Sequence, residues 1–146
     1  MSLSVPRPFG HDLPRQALHP VHVFLLGGAA CFYVSGFFSD WAYFHTLEIQ
    51  WKNFAYWLIM GGLVFSGVAI VFAVAGLLRV DGGRGTRVIY LVLLLAAWGT
   101  SLVNELIHAK DAWASMPEGL VLSAVVAIAS IVATWLGFST LRRMER

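Results

Sequence analysis

Residues Asn53 to Leu78 read NFAYWLIMGGLVFSGVAIVFAVAGLL, and no Asp, Glu, Lys or Arg interrupts them. A helix needs about 20 mostly apolar residues to cross the hydrocarbon of a bilayer. A helix of a soluble bundle would also carry a polar stripe, and this run has none. Three further blocks lack the same four residue types: Gln16–Ser39, Val88–Asn104 and Gly119–Leu141. Trimmed at their polar ends, the blocks predict spans at Val21–Phe38, Phe54–Leu78, Val88–Ile107 and Leu120–Leu141. The chain therefore reads as an all-α integral membrane four-helix bundle. Residues 1–18 form an irregular lead containing Pro6, Pro8 and Pro14; residues 19–141 form the membrane domain, and residues 142–146 a basic tail.

Composition supports that reading. Of 146 residues, 58% are hydrophobic and 12% charged, and mean hydropathy is +0.73. Soluble domains carry about 25% charged residues, and a chain of this size cannot hide so much apolar surface in one soluble core. A soluble enzyme, a nucleic-acid-binding domain and a disordered tail are all disfavoured. The net charge is only +2, and the basic residues are sorted by side. Arg7, Arg15, Arg79, Arg84, Arg87, Arg142, Arg143 and Arg146 fall on one side, against Lys52 and Lys110 on the other. The positive-inside rule then places both termini in the cytoplasm.

Trp41, Tyr43, Trp51, Tyr56, Trp57 and Trp113 gather near the opposite ends of the helices, where an aromatic belt belongs. Trp98 and Trp135 fall mid-span and are expected in packing. Cys31 has no second cysteine to pair with and is expected as inert packing in a retained helix. Gly28-Ala29-Ala30-Cys31 has the small residues of a lipoprotein cleavage box, but Gly28 stands where a leucine-like residue is needed. Asp81-Gly82-Gly83-Arg84-Gly85 reads as a turn; it lacks the Gly-Lys-Ser/Thr ending of a phosphate loop. The pairs Gly62/Ser66, Ala97/Ser101 and Ala129/Ala133 are spaced for close helix approach.

Polar residues at or inside the membrane boundary are the informative ones, because burying them is expensive. One group is His19 and His22, in His19-Pro20-Val21-His22 at the cytoplasmic mouth of the first helix. The other is Asp40, His45, Glu48, Asn104, Glu105, His108 and Asp111 at the far end. His45-Thr-Leu-Glu48 and Glu105-Leu-Ile-His108 each put a carboxylate and an imidazole three apart. That spacing builds metal sites in four-helix bundles. Glu105, His108, His45 and Glu48 are thus the candidate ligands of a single transition metal. The competing reading is structural: polar residues at helix ends also face headgroups and water.

A b-type haem wants axial ligands on facing helices. His45 and His108 come from different segments at similar depth and are the candidate pair. His19 and His22 are the cofactor candidates at the inner end. They share one helix start, so at most one bis-histidine haem is expected, on the outer side. That case weakens if the first helix stops at Ser39 and His45 lies in a loop. No Gly-x-Ser-x-Gly elbow signals a serine nucleophile, and a catalytic role is not expected. The spans carry no central charge, which disfavours a transporter or channel.

The His19-Pro20-Val21-His22 opening, Asp40, Gly76, the stretch from His108 through Asp111, Trp113, Pro117 and Gly119 to Ser123, and Trp135-Leu-Gly137 form a pattern. It resembles the bacterial predicted membrane proteins grouped as family DUF2231, over about residues 18–138. The resemblance implies a four-helix inner-membrane protein. Through a distant similarity of that family to two-haem b-type membrane cytochromes, it also implies electron transfer. The chain departs from the pattern in one place. Thr86-Arg87-Val88-Ile89-Tyr90 has no histidine where a partner for an inner haem is expected.

Two functional readings follow. In one the protein is a small redox or metal- or haem-binding membrane subunit with a site at the non-cytoplasmic face. In the other it is a non-catalytic anchor or assembly partner for another protein or for further copies of itself. The expected surroundings in either case are lipid and a protein partner, and no nucleic acid.

Overall fold

The computed structural model describes residues 20–78, 84–110 and 113–144. Helix α1 spans Pro20–Thr46, α2 Ile49–Leu78, α3 Arg84–His108 and α4 Glu118–Met144, with a short 3-10 turn at Trp113–Ser115 before α4. All four helices are long and apolar enough to cross a membrane. Among the described residues there is no strand.

Every helix exceeds its predicted span, and α1 does so most. It continues through Asp40 and His45 to Thr46, well past Phe38, so the His45 segment is helix. The stop comes from the backbone. Leu47 adopts φ 59°, and its N–H donates to the Tyr43 carbonyl at 2.8 Å, which is the αL form of a helix C-cap. A leucine there is strained by about 1–2 kcal/mol relative to a right-handed conformation. The Thr46 hydroxyl donates to the Ala42 carbonyl at 2.7 Å and accepts from the Glu48 N–H at 3.3 Å. Helix α2 then begins at Ile49. Of the glycine-rich stretch, Arg84 and Gly85 open α3, and 81–83 lie outside the described residues.

The helices pack as a ring in chain order: α1 against α2 and α4, and α3 against the same two. Their connections alternate ends. The α1–α2 and α3–α4 connections lie at one end, called distal here; the start of α1, the end of α4 and the α2–α3 connection lie at the other.

The bundle is apolar outside and selectively polar inside. At most 33% of each span's most apolar window is buried. The outward faces carry Phe24, Trp57, Ile128 and Leu106, and also Trp135 at 70% exposure. Trp135 therefore faces outward rather than packing, and Cys31 is also on the exposed side of its helix. Trp98 does pack, donating its indole N–H to the Leu63 carbonyl at 3.1 Å. Trp41, Trp51 and Trp57 are exposed near the distal end, whereas Tyr43 is buried. The core combines Leu25, Leu26, Ala69, Leu94 and Ala133 with a second cluster of Ala29, Tyr33, Ile59 and Val126. Gly62 is required beside that second cluster, because a Cβ there would collide with the Tyr33 ring.

Candidate functional site at the distal end

His22, Tyr33 and Asp40 are among the buried residues of α1. At about 3.6 residues per turn, the steps from 22 to 33 and from 33 to 40 are nearly three and two whole turns. The three side chains therefore leave α1 in nearly one direction, spread over about 27 Å of helix at 1.5 Å per residue.

Asp40 is fully buried because partners on two other helices meet it. Its Oδ1 lies 2.7 Å from His108 Nε2 on α3. Its Oδ2 accepts a short hydrogen bond from the Ser123 hydroxyl on α4. The Ser123 oxygen in turn accepts from Asn104 Nδ2 at 2.8 Å. His108 Nδ1 donates to the Asn104 carbonyl, one turn back on α3, at 2.9 Å. Asp40, Asn104, His108 and Ser123 thus close one network, each at most 3% exposed. Gly119 allows α4 to start against the imidazole, since a Cβ there would stand 2.9 Å from His108 Cε1.

The network restricts charge. With Nδ1 donating to a carbonyl, the contact between Nε2 and Oδ1 holds one proton. Either the imidazolium donates to the carboxylate, or the carboxylic acid donates to the neutral ring. The pair is neutral as a unit in both forms, which is the state the interior of a membrane protein tolerates best.

Beside the network, Glu105 is 5% exposed and Ser101 fully buried. The Tyr33 hydroxyl meets Ser66 Oγ at 2.8 Å, and Ser66 donates to the Gly62 carbonyl at 2.6 Å. Lys52, 8% exposed, donates from Nζ to the Lys110 carbonyl at 2.7 Å. A cation just beyond the C-terminus of α3 also suits the helix dipole. At the other end of the bundle, His22 is buried and its Nε2 lies 3.0 Å from the Tyr90 hydroxyl. A tyrosine of α3, rather than a histidine, thus meets it across the bundle.

The sequence-predicted site residues divide. Glu105 and His108 come together inside the distal half, one turn apart on α3. His45 is exposed at the end of α1, its ring packed against Trp41 and Phe44 at centroid distances of 5.0 and 5.6 Å. Glu48 is exposed in the α1–α2 connection. The two His/carboxylate pairs are therefore not joined. Among the described residues no group of three or more His, Cys, Asp or Glu side chains is arranged to hold a metal. His19 and Asp111 lie outside the described residues. Ser123 belongs to the network but was not among the candidate site residues; the sequence pattern carried it only as the end of the family stretch. Its signal was available: it lies on the helical stripe of Val126, Ser130 and Ala133, all buried on α4.

The architecture is that of a multi-pass membrane bundle with a sealed carboxylate–imidazole network inside it. The chain belongs to the family of predicted membrane proteins DUF2231, whose model matches residues 17–144. No curated protein and no solved structure matches it at a significant level.

Proposed function

We propose that the protein handles protons within the membrane, with the Asp40–His108 pair as the proton-bearing group. The observation that carries this reading is that both ring nitrogens of His108 meet acceptors, Asp40 Oδ1 and the Asn104 carbonyl. A pair so arranged shares one proton and can hold it on either partner without changing its net charge. Ionisable side chains inside a bundle are expensive, and they mark proton relays and ion pathways more often than scaffolding. Ser123 and Asn104 fix the carboxylate and the ring, so the proton moves over a short, preset distance.

We place the chain in the bacterial inner membrane, and the arginine distribution supports an orientation with both termini in the cytoplasm. The pair then lies in the half of the bundle nearer the non-cytoplasmic side.

The test is proton flux in proteoliposomes containing a pH-sensitive dye, driven by a potassium diffusion potential. Wild-type protein is expected to change internal pH faster than empty liposomes. Asp40→Asn and His108→Gln are expected to return the rate to that background. A wild-type rate equal to that of empty liposomes overturns the proposal.

A further inference from the structure

One turn of α3 holds four buried oxygen atoms without a hydrogen-bond partner: Ser101 Oγ, Asn104 Oδ1 and both carboxylate oxygens of Glu105. Residues 101, 104 and 105 stand at i, i+3 and i+4 and so share a helix face. Buried oxygens are ordinarily paired, and an ionised carboxylate with no partner is the most expensive kind to leave bare.

The neighbouring donors each make at least one hydrogen bond elsewhere. Ser66 donates to the Gly62 carbonyl, so the Tyr33 hydroxyl donates to Ser66. Lys52 is held by the Lys110 carbonyl. His108 is held by Asp40 and the Asn104 carbonyl, and Asn104 Nδ2 donates to Ser123. Ser101 and Glu105 are both close enough to the Tyr33 hydroxyl to act on it electrostatically. What remains is a set of buried oxygens along one turn of α3, none with a hydrogen-bond partner.

We propose that Ser101 Oγ, Asn104 Oδ1 and the Glu105 carboxylate bind a monovalent alkali cation of the sodium class, with the Tyr33 oxygen at the edge of the site. Oxygen-only donors select hard cations over transition metals. The charge count selects the valence. The Asp40–His108 pair is neutral as a unit, Glu105 supplies one negative charge, and Lys52 at the distal mouth carries one positive charge. A monovalent ion adds the least positive charge to that interior, and a divalent one adds twice as much in a medium that strongly disfavours it. This site does not depend on proton transfer at Asp40.

The test uses sodium chloride against choline chloride at equal ionic strength, on the full chain in mild detergent. Two responses are read: the thermal unfolding midpoint, and labelling of Glu105 by a hydrophobic carbodiimide, located by peptide mass spectrometry. Sodium is expected to raise the midpoint and suppress the labelling, both saturating at the same concentration. A ligand that binds only the folded state stabilises it in this concentration-dependent way. Glu105→Gln is expected to abolish the midpoint response. Ser101→Ala keeps the carboxylate and is expected to raise the half-saturating sodium concentration at least several-fold. A midpoint that is the same in sodium and choline overturns the proposal and leaves Glu105 as a proton-binding carboxyl only. If Glu105→Gln does not fold, an unchanged half-saturation in Ser101→Ala overturns it equally.

Discussion

Asp40 of α1 and His108 of α3 meet at 2.7 Å, with neither side chain exposed to any degree. They are 68 residues apart in sequence, and their contact ties the end of the first helix to the end of the third across the ring. Since α1 and α3 are diagonal neighbours with little direct backbone contact, this pair and the Ser123–Asn104 bridge carry the polar connection through the middle of the distal half.

Breaking the pair on one side should be expensive. Asp40→Asn or His108→Ala leaves a buried polar group with a lost partner, and such a change costs about 3–5 kcal/mol. Both variants are expected to unfold at clearly lower temperature in detergent than wild type. The double variant is expected to lose less than the two single losses combined, with a coupling of about 0.5–3 kcal/mol. Strict additivity would show that the two residues act independently.

Gly119 tests the same contact from the side of α4. In Gly119→Ala the new Cβ stands 2.9 Å from His108 Cε1, so the ring must move away from Asp40 or α4 must shift. Overpacking of this kind costs about 1–3 kcal/mol. The variant should also lose proton flux if the pair carries it. A thermal midpoint equal to wild type would show that the imidazole has room that the packing denies it.

The opposite end offers a separate prediction. Tyr90→Phe removes the partner of His22 Nε2 inside the bundle and leaves a buried ring nitrogen unsatisfied, at a cost of about 1–3 kcal/mol. Replacing His22 and Tyr90 together by Leu and Phe should recover part of that loss, because no orphan group then remains. Thermal unfolding of the two variants in one detergent makes the comparison.

Metal content separates the proton reading from a redox one. For His108 Nε2 to ligate a metal or haem iron it must give up Asp40, and His45 lies outside the bundle against Trp41 and Phe44. Protein expressed with haem and metals available is therefore expected to carry well under one transition metal per chain. His45→Ala should change stability by no more than about 0.5 kcal/mol, as for an ordinary exposed position. One iron, copper, zinc or manganese per chain, lost in His108→Ala, would instead establish the redox or metal-binding subunit.

Orientation can be read from fusions. A fluorescent protein that folds only in the cytoplasm, joined after Arg146, is expected to fluoresce in bacterial cells. A periplasm-dependent phosphatase at the same position is expected to be inactive. The reverse pattern would place the Asp40–His108 pair on the cytoplasmic side.

The membrane bundle was legible in the chain because its signal is local. Uninterrupted apolar runs such as 53–78 demand helix and lipid whatever else the protein does, since no other structure satisfies the backbone of a single segment within hydrocarbon. The pairing of Glu105 with His108 was legible for the same reason, being one turn of one helix. The extent of α1 was not. A charged Asp40 after Phe38 reads as the end of a span, and only partners on α3 and α4 make it affordable as an interior residue. The shared direction of His22, Tyr33 and Asp40 was written in their spacing, but its meaning depends on which face of α1 the bundle covers. Likewise His45 and His108 look equivalent as letters at similar depth, and packing puts one outside and the other in the core. Segment type and membrane residence are properties of single stretches of sequence. Which polar groups meet was decided by the tertiary ring of helices, because those groups come together from three separate helices.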